Sequence, residues 1–306
     1  MTQYEKKFRR IARKLGRVQL MEMSAQALDN VEHASDVSML VGDEEGRRGP
    51  RRFLDYYGDE GMQLALSRYG LYEALEGRGY RDFEYAMHVR DERHTLIVSA
   101  SHDQLDTPAR LVELVVRKDR LVPSGLPGLE GEYEVLTVDW LMMQDPLRNF
   151  VPEKPRLPGQ EAPGLGMADF VLEMLYRIVE RLDLDGLLTT GEHFHNAVMY
   201  RTELAFLDPV AGGRCIALEE ALLEREKLSL AEASWAVEWG LVEVCDSDDP
   251  VWRRFDWTGE VQVRAWHRNL ISYLRSAQRR RRQQTEAAKR SYCVDREALA
   301  ARMQEL

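Results

Sequence analysis

The sequence contains little cysteine and no long apolar run. Its 306 residues include three cysteines, Cys215, Cys245 and Cys293, at wide spacings. An odd number of distant cysteines supports neither a disulfide framework nor a zinc site, so a reducing compartment is expected. No stretch approaches the roughly 20 apolar residues that span a bilayer, and the basic first segment lacks the apolar core of a signal peptide. We therefore expect a cytoplasmic protein with no membrane partner.

Positive charge is outnumbered by negative charge. Acidic residues outnumber basic ones by 52 to 42, which gives a formal net charge of −10. Such a chain repels nucleic acid as a whole, so only a local basic patch could bind it. Residues 275–290, with Trp266 and Tyr273 nearby, form the one candidate patch. We interpret this patch as a solvated helix, and an adaptor that binds nucleic acid through these arginines is the alternative.

Strand-like and helix-like segments follow one another along the chain, which indicates a mixed α/β (α+β) protein. Runs rich in β-branched residues predict strands, and the polar residues 90–94 favour a hairpin between the first two. Apolar residues from Phe8 to Val18 recur at helical spacing and predict an amphipathic first helix. The predicted strands are 83–89, 95–100, 111–117, 133–143 and 184–190, and the further predicted helices are 53–80, 167–182, 192–204, 218–228, 229–239 and 261–282.

The most strand-like run is Tyr133–Met143, whose apolar density predicts a central strand that is covered on both faces. A helix and then a second buried strand, 184–190, follow it. A strand, a crossover helix and another strand are typical of a βαβ unit, in which the two strands lie side by side in parallel. We therefore expect a mixed central sheet flanked by helices.

A glycine-rich stretch, residues 156–166, runs directly into the predicted helix 167–182. Its two prolines end the preceding element, and its three glycines free the backbone. Glycines let amide groups turn toward an anion, and the start of a helix adds a partial positive charge. The stretch is thus either an ordinary loop before a helix or a phosphate-binding turn.

The same region resembles the acyl-CoA-binding core of the GNAT-type N-acetyltransferase superfamily. The run from Gly164 to Leu175 is similar to the end of that family's Q/R-x-x-G-x-G/A signature and to the leucine-rich helix behind it. Asn196, Ala197, Tyr200 and Phe206 resemble the family's later asparagine, alanine, tyrosine and phenylalanine. The resemblance covers about residues 80–210. After Phe206 we expect no full final hairpin, because only the short run 214–218 looks strand-like.

The resemblance implies which residues would bind the co-substrate and which would catalyse the transfer. Residues 136–143 would pair with the pantetheine arm of acetyl-CoA or another acyl-CoA, which would be a co-substrate, and no metal would be needed. Tyr200 would be the acid that protonates the departing thiolate, and Asp139, Glu134 or Glu192 would be the base for the amine. The cofactor-binding residues would be Gly159, Gln160, Gly164, Leu165, Gly166 and Asn196.

Glu192, His193 and His195 form another notable cluster, because two histidines and a carboxylate can ligate a metal. Two histidines that are two positions apart on a helix would point about 200° away from each other. We therefore expect capping and hydrogen bonding at the start of a helix and not a metal site. Either histidine could also contact a substrate or act as a base.

The expected organisation has three parts. Residues 1–50 form a helical extension that ends in a linker at 41–52, residues 51–212 form the GNAT-like domain, and residues 213–306 form a helical C-terminal region. The leading hypothesis is transfer of an acyl group, such as acetyl, from CoA to an amine, whose identity stays open. Because Glu161 stands where the family has Gln or Arg, a non-catalytic sensing or interaction module is the alternative. In either case the helical extensions are candidate surfaces for a second copy or another protein.

Overall fold

The computed structural model describes residues 4–22 and 52–306. The predicted linker 41–52 lies outside the described residues except for Arg52. Helices and strands are interspersed, and the fold is mixed α/β as expected. The helices are α1 (Glu5–Lys14), α2 (Arg17–Met21), α3 (Asp59–Tyr69), α4 (Leu71–Glu76), α5 (Ala168–Arg181), α6 (Phe194–Tyr200), α7 (Pro209–Glu219), α8 (Leu230–Glu238), α9 (Arg268–Arg275), α10 (Ala277–Ala288) and α11 (Arg296–Met303), with a π-helical turn at Glu220–Arg225 after α7.

A seven-stranded mixed sheet contains the predicted strands. The strands are β1 (Arg81–Arg90), β2 (Arg93–Ser101), β3 (Ala109–Leu121), β4 (Tyr133–Met143), β5 (Gly186–Thr190), β6 (Ala205–Phe206) and β9 (Val261–Ala265). Their order in the sheet is β1-β2-β3-β4-β5-β9-β6. The first three strands pair antiparallel, as the hairpin predicted for the first two requires, and β4 pairs with β5 in parallel, as predicted for the βαβ unit.

A second sheet has three strands in the order β10-β7-β8. They are β7 (Val242–Asp246), β8 (Asp249–Arg254) and β10 (Arg290–Val294). The expectation of a purely helical C-terminal region is therefore wrong. These strands are short, and the six residues of β8 are exposed, so they lack the apolar alternation by which a half-buried strand is recognised in a sequence.

The prediction of one helix over 261–282 is also wrong. Val261–Ala265 is β9, which pairs antiparallel with both β5 and β6. Its Val263 side chain is buried, and β-branched valines at alternate positions suit the pleated surface of a sheet. β6 also pairs antiparallel with β9, but residues 207–260 separate the two strands, so they do not form a hairpin. The run 214–218, which looked strand-like, is helical and lies within α7.

The chain divides into two compact units. Unit 1 comprises Met1–Lys118, Asp139–Leu147 and Gly164–Arg181, and unit 2 comprises Asp119–Val138, Arg148–Pro163 and Leu182–Leu306.

In unit 1 the first helix, α1, is docked by aromatic packing and by hydrogen bonds from an arginine side chain to backbone carbonyls. The Phe8 ring is buried and lies 4.7 Å from the ring of Tyr69 and 5.1 Å from that of Phe170. The Arg181 guanidinium donates to the carbonyl oxygens of Ala12 and Leu15. The prediction of an amphipathic first segment is therefore confirmed, although Gly16 separates α1 from α2 and Val18 is exposed.

In unit 2 a helical core surrounds α7 and α8. Leu218, Leu222 and Ala236 are fully buried there, and Phe194 packs into the same cluster. Ser229 and Glu232 form the capping box that starts α8, with reciprocal hydrogen bonds of 2.7 and 3.2 Å. These contacts hold α6 and α8 against one core.

Candidate functional site

The end of the glycine-rich stretch, residues 164–166, is here called the Gly166 turn and belongs to unit 1. Gly164 forms an isolated bridge with Gln144, just beyond β4. The Leu165 amide donates to the Met143 carbonyl oxygen at 3.3 Å, and the Leu165 carbonyl accepts from the Arg78 guanidinium at 2.8 Å. The buried Leu165 side chain also anchors this turn. The Leu165 amide is therefore already engaged and is not free for a phosphate.

Gly166 differs from its two predecessors because none of the described residues packs against it. Its φ of +67° lies in the left-handed region that favours glycine, and a Cβ at this position would meet no atom within 4 Å. Helix α5 begins two residues later, and its first backbone hydrogen bond links the Val171 amide to the Met167 carbonyl at 3.1 Å. The amides before Val171 have no partner within the helix. Asp169 is the acidic residue of this first turn.

Asp139, a predicted base on β4, is held in a network of ion pairs in the same unit. Its two carboxylate oxygens each accept from Arg117 Nε at 3.2 Å, and Arg93 Nε lies 3.3 Å from one of them. Both carboxylate oxygens are therefore engaged by guanidinium groups of β2 and β3. The arrangement suits Asp139 to joining β2, β3 and β4.

The first part of the glycine-rich stretch forms a separate turn in unit 2, here called the Gly159 turn (residues 157–160). The Gln160 amide donates to the Leu157 carbonyl, and the Gln160 side-chain oxygen accepts from the Leu157 amide at 3.1 Å. The Arg156 guanidinium donates to the Gln160 carbonyl at 2.8 Å. The side chain of Gln160, a predicted cofactor contact, thus closes its own turn.

Gly159 lies against a histidine. Its φ is +76°, and a Cβ added there would lie 2.7 Å from His193 Nε2. The other ring nitrogen, His193 Nδ1, is 3.0 Å from Glu238 Oε2 at the end of α8. Three residues before Glu238 in α8, the Trp235 indole donates to the Arg156 carbonyl at 2.9 Å. The Gly159 turn is therefore packed onto α8 through His193 and Trp235.

The expectation that His193 and His195 point away from each other is wrong. Their rings stack, with centroids 5.4 Å apart and planes 8° from parallel. The reason is that His193 precedes α6 in an extended conformation, with φ −111° and ψ 155°. Helical periodicity therefore does not apply to the pair.

His195 is the most unusual polar residue of this part of the chain. Its side chain is 3% exposed, and its Nδ1 has no hydrogen-bond partner among the described residues. Burial, with a smaller contribution from His193, lowers the pKa of His195 to about 4. The imidazole is therefore neutral at pH 7. The cluster of Glu192, His193 and His195 in the sequence indicated a functional role for His195, but the burial of its side chain could not be predicted from the sequence.

The other predicted residues of unit 2 lie along α6. Asn196 is at the start of the helix, where its backbone amide donates to the His193 carbonyl at 3.1 Å. Tyr200 is the last residue of α6 and is half-buried. Burial raises the pKa of Tyr200, and the negative charge of Glu192 raises it further. Unit 2 therefore gathers Glu192, Asn196 and Tyr200 on one short helix and its lead-in.

Within residues 4–22 and 52–306, no group of three or more His, Cys, Asp or Glu side chains is arranged to hold a metal ion. Among the helices of these ranges, none combines the length and the apolar character that crossing a membrane requires. No protein-family model matches the chain, and a search of curated proteins finds no match.

Proposed function

We propose that the protein is a GNAT-like acyltransferase that binds an acyl-CoA and transfers its acyl group, such as acetyl, to an amine. The observation that carries the proposal is the unit β4, glycine-rich connection, α5 and β5, with β4 and β5 parallel. Their pairing runs from Val135 to Val138, whereas β4 continues to Met143.

In this proposal the Gly166 turn and the start of α5 hold the CoA pyrophosphate. The exposed Gly166 and the first-turn amides, which have no partner within the helix, can donate to phosphate oxygens, and the helix dipole favours the negative charge. No lysine is required, because several amides can share one anion. The buried Leu165 and its bond to Met143 keep the turn rigid beneath the ligand.

The chemistry proposed is direct transfer. The amine nitrogen attacks the thioester carbonyl carbon, the C–S bond breaks, and the sulfur leaves as thiolate. Tyr200 then gives its phenolic proton to the sulfur, and a base takes the proton that the attacking nitrogen loses. A phenol is protonated at neutral pH, which is the form that an acid needs, and burial raises the pKa of Tyr200 further above that pH. Glu192 is the proposed base, since Asp139 is already paired with two arginines.

Calorimetry with acetyl-CoA and two matched variants tests the binding step. Ala168→Glu places a negative charge at the exposed start of α5, where the helix dipole favours glutamate but a pyrophosphate would be repelled. Ala277→Glu makes the same change at the exposed start of α10. We expect Ala168→Glu to weaken acetyl-CoA binding about tenfold or more with no loss of melting temperature, and Ala277→Glu to bind as the wild type. Absence of wild-type binding at millimolar acetyl-CoA would end the proposal.

The second candidate function is a non-catalytic GNAT-like module that binds CoA for sensing or docking. Both Asp139 oxygens accept from Arg117, and one of them also pairs with Arg93. These contacts favour the non-catalytic module, because the carboxylate then joins strands of the sheet. Tyr200→Phe separates the two candidates: an enzyme should lose acetylation of amines and retain acetyl-CoA affinity. The module would be favoured if the wild type acetylates none of a panel of amines and Tyr200→Phe leaves the acetyl-CoA affinity unchanged.

A further inference from the structure

A cleft in unit 1 collects positively charged side chains. It has a volume of about 410 Å³ and lies among α1, α2 and α3. Its cationic side chains are Arg10 and Lys14 of α1 and Arg68 of α3. Arg10 and Lys14 are four positions apart, so they share one face of α1. Among the residues that the structure describes, no aspartate or glutamate contributes to the lining.

These three cations differ from their neighbour Arg9. Arg9 pairs with Glu5 at 3.1 Å and with Glu180 at 3.7 Å. Within the part of the chain that the structure describes, Arg10, Lys14 and Arg68 form no ion pair. Like charges that converge without a counter-charge repel one another, and an anion between them removes that cost.

The lining of the cleft also has an apolar part and a neutral donor. The apolar part, here called the apolar floor, consists of Ile11, Leu15 and Leu64. Gln19 also lines the cleft, and because its side-chain oxygen already accepts from the Gly16 amide at 3.1 Å, its NH2 group is the part left to donate. A ligand that satisfies this lining carries an anionic head and a short apolar body.

The walls are held in place by contacts away from the cleft. The Gly58 amide donates to the Leu20 carbonyl at 2.9 Å, which ties α2 to the start of α3. A Cβ on Gly61 would lie 2.1 Å from the same carbonyl oxygen, so only glycine allows this approach of the two backbones. The cleft is therefore a feature of packed helices and not of loose side chains.

We infer that this cleft binds a small organic phosphate, with Arg10, Lys14 and Arg68 around the phosphate and the alkyl or aryl part on Ile11, Leu15 and Leu64. A phosphate monoester carries nearly two negative charges at neutral pH and three acceptor oxygens, which matches three cations better than a single carboxylate does. Arginine guanidinium groups bind such oxygens in pairs. The inference is independent of acyl-CoA binding, because it uses neither the Gly166 turn nor α5.

Calorimetry with hexyl phosphate, inorganic phosphate and hexanol tests the assignment on the full chain. We expect hexyl phosphate to bind most tightly, inorganic phosphate to bind more weakly and hexanol not to bind. Failure of hexyl phosphate to bind the wild type would overturn the inference. Equal affinities for hexyl and inorganic phosphate would overturn the role of the apolar floor.

Two triple variants identify the residues. Arg10→Gln, Lys14→Gln and Arg68→Gln together should weaken hexyl phosphate binding about tenfold or more. The control carries Arg280→Gln, Arg281→Gln and Arg282→Gln, exposed arginines of α10 that give the same change in net charge. It should bind as the wild type, and equal losses in both variants would overturn the site. All six side chains are exposed, so unchanged melting temperatures are expected.

A phosphate on a lipid headgroup has the same chemistry, and sedimentation with phosphatidylcholine vesicles that contain phosphatidic acid distinguishes this source. For a soluble ligand the wild type should stay in the supernatant. Pelleting of the wild type but not of the cleft triple variant would assign the same site to a lipid phosphate. Pelleting of both proteins alike would show that the lipid contact lies elsewhere and would leave the soluble ligand as the one for this cleft.

Discussion

In the Gly159 turn the left-handed glycine lies beneath a histidine, whereas in the Gly166 turn the left-handed glycine faces open space. The first turn is closed by its own Gln160 side chain and packed onto α8. The second is fixed at Leu165 and leaves its last backbone group exposed at the start of a helix. One glycine-rich stretch therefore contains a structural turn and a turn suited to a ligand. Only the neighbours of each glycine distinguish them.

The largest expected effect concerns the histidines beside the Gly159 turn. The pKa of His195 is about 4 in the folded protein and 6.5 in an ordinary histidine. Between these values the unfolded chain binds a proton that the folded chain does not. The contribution of neutral His195 to the free energy of unfolding is therefore fully present above pH 6.5, and it falls as the pH falls toward 4. The loss from this residue should be about 3 kcal/mol at pH 4.

Urea unfolding at pH 7 and pH 4 measures this effect. His195→Asn should lose about 3 kcal/mol less than the wild type over that interval. His88→Asn, which changes an exposed histidine of β1, should lose as much as the wild type. Equal losses in all three proteins would show that His195 is not a buried neutral group.

Gly159→Ala tests the packing of the structural turn. The new Cβ would meet His193 Nε2 at 2.7 Å in a backbone conformation that alanine rarely adopts. We expect a loss of about 2 kcal/mol in the free energy of unfolding. Adding His193→Ala should restore part of it, because the clash then disappears and the backbone strain remains. A double variant no more stable than Gly159→Ala would contradict the assigned contact.

Gly166→Ala tests the open turn and should have a smaller effect. Only the left-handed φ opposes the substitution, so the expected loss is about 1 kcal/mol. Gly166→Asn should lose less, since asparagine tolerates this conformation better. Chemical unfolding of the three proteins measures the difference. A loss for Gly166→Ala that equals the loss for Gly159→Ala would remove the distinction between the two turns.

The smallest expected effect is at Gln160. Gln160→Ala removes the side-chain acceptor of the Leu157 amide, and the loss should be about 0.5–1 kcal/mol. Gln160→Glu keeps an acceptor at the same reach and should be as stable as the wild type. A stable alanine variant would show that the turn does not depend on this hydrogen bond.

The sheet was largely predictable because its strands carry strong local signals. Tyr133–Met143 was predicted with the bounds it has, since its apolar run is long and ends at Asp145 and Pro146. The hairpin of β1 and β2 was predicted from two β-rich runs around a polar turn. Helix α5 was predicted to within a residue at each end, because its periodicity begins directly after glycine.

The rest depended on contacts between distant residues. Val261–Ala265 is too short to stand out from the helices that follow it, and its partners lie far away in the chain. The stacking of His193 on His195 depends on where α6 begins, and sequence-based helix ends are uncertain by a few residues. Whether Gly159 or Gly166 faces open space depends on which side chains pack around each. These are tertiary facts that spacing does not encode.

The late position of β9 in the chain has a consequence for synthesis. Before residues 261–265 leave the ribosome, β5 has no partner on the side that β9 later occupies. An apolar strand with an open edge is a template for pairing with another chain. The nascent protein therefore passes through a long interval, while residues 207–260 are made, in which its central sheet is prone to aggregation. We therefore expect a fragment truncated in that interval to aggregate through the open edge of β5.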